Sequence, residues 1–203
     1  MIFPDVYYYD FSRDNYKIDD IRELLGTSRY VYCAEKKSEK AGLCSAYAFL
    51  LLRYALIKRN GIKAVPEFEY GEYGKPFLKS YPDIHFSMSH AGTTVICAVS
   101  EFPVGVDIQD IRKISINAAK RFLTDSELSY ISGIRNEETI ISELCRIWCI
   151  KESYGKYTGK GFAEGFSSFE ADQLIRTGKV RTTMINGFFI SVCCAHKEAP
   201  VNE

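Results

Sequence analysis

The run Val104-Gly105-Val106-Asp107-Ile108-Gln109 alternates apolar side chains with a glycine, a carboxylate and an amide. A strand's period of two sets Asp107 and Gln109 on one face and Val106 and Ile108 on the other. Two neighbouring oxygens of this kind suit a hard cation such as Mg²⁺, which takes oxygens at about 2.1 Å and shares its shell with water and phosphate. The plain alternative is an edge strand with a solvated polar face. On either side of this run, helices and strands read as mixed but segregated. Upstream come aromatic segments at Val6–Phe11, a helix from Glu39 to Arg59 capped by Ser38 and closed by Asn60-Gly61, and short strands at Val65–Tyr70, Pro76–Leu78, Ile84–Ser89 and Thr94–Val99. Downstream come two short helices near Ile116–Leu123 and Asp125–Gly133, a long one from Glu137 to Tyr157, and a hairpin in which Asn186-Gly187, a preferred type I′ pair, joins Thr182–Ile185 to Phe188–Cys194. That order favours an α+β fold over a doubly wound sheet.

The long downstream helix carries Leu144, Trp148, Glu152 and Lys156 in one i, i+4 row. Leu144 and Trp148 call for a core, so the same row carries Glu152 inward. A buried carboxylate is costly unless it is paired or bound to a metal. Lys156, one turn on, offers a simple Glu–Lys pair; with Asp107 as a further partner, the pattern reads as a metal site. In Phe86-Ser87-Met88-Ser89-His90-Ala91-Gly92, the two serines share a face, and His90 precedes small residues that permit close backbone approach. His90 is either structural or a phosphate contact. Lys75, on the turn Gly74-Lys75-Pro76, suits the same anion. Lys36, Lys37 and Lys40 form either a solvated cluster or the grip on a further phosphate.

The chain has 203 residues, one large or two small domains on a prior of roughly 150 residues each. Lys+Arg and Asp+Glu both number 26, so no global basic field holds a nucleic acid. The longest apolar run, Ala46 to Leu52, is far short of the about 20 residues of a membrane span, and Met1–Asp10 lacks the apolar stretch of a secretory leader. The seven cysteines include no C-x-x-C pair, and Cys97, Cys145, Cys149, Cys193 and Cys194 read as small core residues in a reducing, cytoplasmic compartment. A hydrolase elbow G-x-S-x-G and a P-loop are both absent.

Taken in order, Tyr73-Gly74-Lys75-Pro76, Phe86-x-x-Ser89-His90, Gly105-Val106-Asp107-Ile108 and Trp148-x-x-Lys151-Glu152-Ser153-x-x-Lys156 resemble the signature of surfactin-type 4′-phosphopantetheinyl transferases, and Arg121-Phe122-Leu123-Thr124-x-x-Glu127 fits as well. The resemblance spans roughly Lys36 to Phe169. It implies two similar α+β lobes (residues 1–103 and 104–203) in a pseudo-twofold arrangement with the active site in the cleft between them. It implies Mg²⁺-dependent transfer of phosphopantetheine from coenzyme A to a serine of an acyl- or peptidyl-carrier protein. By the same resemblance, Asp107, Gln109 and Glu152 hold Mg²⁺. Glu152 also serves as candidate base, and Lys156 stabilises or protonates the leaving bisphosphate. His90, Lys75 and Ser89 contact coenzyme A phosphates, and Tyr73 through Pro76 shape the nucleotide side. Lys36 and Lys40 are expected to grip a further phosphate of coenzyme A. Because a two-lobed chain supplies its own cleft, a monomer is expected. The carrier rim is expected near Lys113, Lys120 and Arg121, with Phe162 and Phe166 either apolar anchors or core.

Three positions depart from the pattern. Gln109 stands where Glu is common, Cys44-Ser45 where Arg precedes a small hydroxyl residue, and Ala91 where Ser often follows the histidine. A non-catalytic coenzyme A- or carrier-binding module is therefore the competing reading. A metal-dependent phosphohydrolase, which would want more acidic ligands, ranks below both.

Overall fold

The computed structural model describes residues 4–195. Its upstream half contains β1 (Asp5–Asp10), α1 (Arg22–Leu25), α2 (Thr27–Ala34), α3 (Glu39–Asn60), β2 (Phe68–Tyr70), β3 (Pro76–Leu78), β4 (His85–Ala91) and β5 (Thr94–Ser100). The downstream half contains β6 (Val104–Asp110), α4 (Ile116–Ala119), α5 (Asp125–Gly133), α6 (Glu137–Thr158), α7 (Ala171–Arg176), β7 (Val180–Ile185) and β8 (Phe188–Cys194). The α+β reading holds.

Local chemistry sets the ends of the two long helices. Ser38 accepts from the Ala41 N–H at the start of α3, and Gly61 closes it at φ 69°. Asn136 accepts from Thr139 N–H at the start of α6, and Gly159 closes it at φ 79°. By length and composition α3 could cross a membrane; here Leu52, Ala55 and Leu56 pack on Phe86, Cys97 and Val99 of a sheet.

Two three-stranded antiparallel sheets form the centre, ordered β1-β5-β4 and β6-β8-β7. In both, the first strand of its half pairs with the last, and the middle one takes the far edge. Along β5, Cys97 and Val99 face α3, while Ile96 and Ala98 meet Val106, Ile108 and Ile190 of the other sheet. The second sheet carries α6 on its outer side, where Cys145 and Cys149 pack on Phe189. Through the molecule the order is therefore helix, sheet, sheet, helix. All seven cysteines are free and buried, as their sequence contexts suggest.

The structure corrects several boundaries. β2 begins at Phe68 rather than Val65, since Pro66 has no N–H to give a ladder. The short helix α4 stops at Ala119, not Leu123: Phe122 and Leu123 turn into the core, and extended Thr124 opens the capping box of α5 with Glu127. The helices α1, α2 and α7 have no counterpart in the sequence reading; α2 contains Tyr30, Val31 and Tyr32, poor helix formers held there by tertiary contacts.

β6 approaches α6 closely because residue 105 has no side chain. A Cβ there would lie 2.0 Å from the Ser153 carbonyl oxygen and 2.4 Å from the Tyr157 nitrogen. Backbone cannot yield as a flexible side chain does. Gly105→Ala should therefore cost about 3 kcal/mol or more in urea unfolding, at or beyond the upper end of overpacking penalties. Gly133→Ala, where an added Cβ meets nothing within 4 Å, should change stability by less than about 1 kcal/mol.

Candidate active site

The junction of β4, β6 and α6 gathers the polar residues. Val106 and Ile108 enter the core between the sheets, which leaves Asp107 and Gln109 on the α6 side of β6, only 5% and 4% exposed. The solvated-edge alternative is thereby excluded: the β6 edge lies along β4 and is closed by serine hydroxyls. Ser87 Oγ accepts from the Val106 N–H at 3.0 Å, and Ser89 Oγ donates to Asp107 Oδ1 at 2.6 Å. Lys156 Nζ donates to the same Asp107 oxygen at 2.6 Å and to Ser89 Oγ at 2.9 Å. Lys156 therefore pairs with Asp107 and not with Glu152, which overturns the simple helix pair.

Glu152, one turn before Lys156, makes no hydrogen bond or ion pair among the described residues. Burial pushes its carboxyl up to about 7, and repulsion from Asp107 adds to this while Lys156 offsets part of it. The two acids therefore sit within electrostatic reach of each other. The buried Cys149 thiol also faces the Asp107 carboxylate, while Gln109 gives its amide nitrogen to Asp110, which leaves Oε1 on the other side. Two carboxylates that repel each other, with an amide beside them on the same strand face, are the chemistry a hard divalent cation satisfies. Among the described residues no group of three or more His, Cys, Asp and Glu could hold a metal; the third donor here is an amide.

The other expected contacts divide. His90 stands beside the cluster, held below its ordinary value by desolvation and then by the Lys156 charge, with Asp107 opposing and Lys40 adding a smaller push. Lys40 thus bears on the same region. Lys36 does not line the cleft: its ammonium lies 3.7 Å over the Tyr32 ring. Lys75 lines the cleft and is tied to the backbone as well. Its Nζ donates to Val104 O at 3.2 Å and Tyr157 O at 2.9 Å, and burial pulls its pKa down to about 8. With both bonds made to backbone carbonyls, Lys75 fastens the β2–β3 turn to β6 and α6. Tyr73, Gly74, Lys75 and Pro76 on that turn all line the cleft, about 250 Å³, which runs past Phe86 and Met88 to Gly155 and Lys156.

Other residues support the site from further away. Lys151 is fully buried, and its three hydrogens go to Glu127 Oε2 at 2.6 Å and to the carbonyls of Phe122 and Phe166, both at 2.8 Å. Trp148 packs edge-on against Phe122 and Phe166, so both it and Phe166 are core; the Phe162 side chain lies outside the described residues. Cys44 is buried and bonds toward Gly92 O, whereas Arg29 of α2 reaches the neighbouring Ser45 Oγ at 2.9 Å. The signals available were the WxxKE spacing for Lys151 and the lone cation of α2 for Arg29.

A family model described as the 4′-phosphopantetheinyl transferase superfamily matches residues 103–200. A 4′-phosphopantetheinyl transferase of Bacillus subtilis is 31% identical over 164 residues, covering 73% of this chain and 72% of the relative. This chain belongs to the 4′-phosphopantetheinyl transferase family. Within it, the 4′-phosphopantetheinyl transferase Sfp of Bacillus subtilis (strain 168) is 34% identical over 148 residues, covering 66% of this chain and 65% of Sfp. The transferase gsp of Aneurinibacillus migulanus is 40% identical over 106 residues, covering 52% of this chain and 44% of gsp. These relatives make the chain a surfactin-type member of that transferase family, as the motifs suggested.

The free carboxyl of Glu152 gives the metal-free transferase a distinctive pH response. Its folded value of about 7 exceeds the ordinary 4.5, so between these pH values the folded chain keeps a proton that the unfolded chain has lost. Its contribution to stability is therefore lost as pH rises through that window. Urea midpoints measured in chelator from pH 5 to 8 should fall, and Glu152→Gln should flatten most of that fall.

Proposed function

We propose that this phosphopantetheinyl transferase carries 4′-phosphopantetheine from coenzyme A to a serine hydroxyl of an apo acyl- or peptidyl-carrier protein. Adenosine 3′,5′-bisphosphate leaves. The observation that carries the reading is the meeting of Asp107, Glu152 and Lys156 from β6 and α6 beside Ser89 and His90 of β4. An acid pair and an ammonium at the end of a cleft suit a pyrophosphate better than any neutral ligand.

Asp107 Oδ2, Gln109 Oε1 and Glu152 would hold Mg²⁺. When bound, the ion supplies charge neutralisation for the pyrophosphate as its bridging oxygen departs. The serine oxygen attacks the phosphorus bearing pantetheine, the bond from that phosphorus to the bridging oxygen breaks, and the serine proton passes to Glu152, directly or through water. Lys156 faces the charge that gathers on the departing bisphosphate. His90 and Ser89 orient the phosphates, with Lys40 near them. The turn from Tyr73 to Pro76 borders the nucleotide side.

The two sheets with matching strand order support the reading of two similar lobes, residues 1–103 and 104–203, about a pseudo-twofold with the cleft between them. The seven buried thiols support a cytoplasmic setting, and a cleft built within one chain supports a monomer. The neutral overall charge supports a protein partner over a nucleic acid.

The test is incubation with coenzyme A, Mg²⁺ and a panel of apo carrier domains. The carrier should gain the mass of phosphopantetheine. Coenzyme A binding without transfer to any carrier would leave the binding-module reading, which Gln109 favours by its missing charge. Asp107→Asn should lower kcat/KM by about a hundredfold or more, the scale of losing one preorganised electrostatic contact. Asp107→Ala also strands the Lys156 ammonium, so its effect would mix chemistry with lost stability.

A further inference from the structure

Gln109 is the weak point of the proposed cation site, because an amide can turn either its oxygen or its nitrogen toward a ligand. The structure fixes which. Gln109 Nε2 donates to Asp110 Oδ1 at 2.8 Å and to the Asp110 carbonyl oxygen at 2.9 Å. An amide nitrogen has two hydrogens, and these two bonds use both. Neither acceptor carries a hydrogen, so the flipped amide would press its own oxygen against two others. The contact is also sheltered: Gln109 is almost fully buried, and Asp110 is half-buried at the end of β6. The competing cation, Arg112, comes only to 3.8 Å of Asp110 Oδ1 and is largely exposed, so it takes little from the bond.

We propose that Asp110 is a positioning residue that turns the carbonyl oxygen of Gln109 toward the divalent cation by holding the amide nitrogen on the opposite side. The proposal rests on the cation reading above. Strand alternation would send residues 109 and 110 to opposite faces. Their contact is made at the very end of the strand, where Asp110 is the last residue. Asp110 thereby lets a neutral ligand work at position 109 without a second conformer competing for the site. A glutamate there would have no hydrogens to give Asp110 and would meet it as a like charge.

This difference gives a test whose sign depends on the residue at 109. The full chain is titrated with Mn²⁺, free metal is read by electron paramagnetic resonance, and Mg²⁺ is added as competitor. Asp110→Ala should weaken Mn²⁺ binding by about tenfold, the lower end of what lost outer contacts to metal ligands cost. In the Gln109→Glu background the same Asp110→Ala change should weaken binding by less than about twofold, or tighten it, because it removes a repulsion. Melting temperatures should agree within each background pair, and Asp110→Ser provides a second removal of the carboxylate. Equal weakening in both backgrounds would mean that Asp110 acts only through its long-range charge, and would overturn the proposal, as would no weakening in either. Asp107→Asn separates the two levels. If it weakens Mn²⁺ binding while Asp110→Ala does not, the positioning role alone falls; if Asp107→Asn also leaves binding unchanged, the cation site falls with it.

Discussion

The approach of β6 to α6 at Gly105 sets every distance in the site. With no Cβ at that position, the strand backbone rests on the helix backbone at Ser153 and Tyr157. From that contact, two residues along the strand lead to Asp107, and neighbouring positions on the helix present Glu152 and Lys156. Any side chain at 105 would push the elements apart and part the ammonium of Lys156 from Asp107. Gly155 serves the outer side in a similar way, since a Cβ there would lie 2.8 Å from the Phe166 ring. The helix is thus held from two directions, by a strand on one side and by the aromatic cluster of Trp148, Phe122 and Phe166 on the other.

Charges inside this frame are arranged in two contrasting ways. Lys151 and Glu127 form a closed network, with all three ammonium hydrogens and both carboxylate oxygens used. Such a pair can stay in the core because nothing is left unsatisfied. One residue further on, Glu152 has no such partner, and Asp107 shares only one of its oxygens with Ser89 and Lys156. The adjacent residues Lys151 and Glu152 therefore divide the helix: the first anchors it, and the second has no such anchor. Lys75 belongs with the anchors, since its ammonium is committed to the carbonyls of Val104 and Tyr157.

The sequence revealed most where a local rule sufficed. The Ser38 and Gly61 ends of α3, the Asn186-Gly187 hairpin with φ values of 51° and 80°, and the alternation along β6 all follow from backbone chemistry within a few residues. The i, i+4 row from Leu144 to Lys156 carried Glu152 inward, within electrostatic reach of Asp107. What stayed hidden depends on pairs distant in the chain. No spacing rule says that Lys156 will choose Asp107 over Glu152, because that choice is made by β6 lying beside α6. Nor does a glycine turn announce that Lys75 will also reach the backbone of Tyr157, 82 residues away. α2 was missed because Tyr30, Val31 and Tyr32 favour strands, and only packing onto α3 makes them helical.

The serine hydroxyls of β4 have a consequence beyond the site they border. By giving themselves to the Val106 N–H and to Asp107, Ser87 and Ser89 close the inner edges of both three-stranded sheets against each other. An open edge is a template on which another chain can add a strand and begin to aggregate. Here the outer edges, β1 and β7, are left for that hazard, and β1 is bracketed by the charges of Asp5 and Asp10. The seam that assembles the chemistry thus also protects the molecule from its own neighbours in a crowded solution.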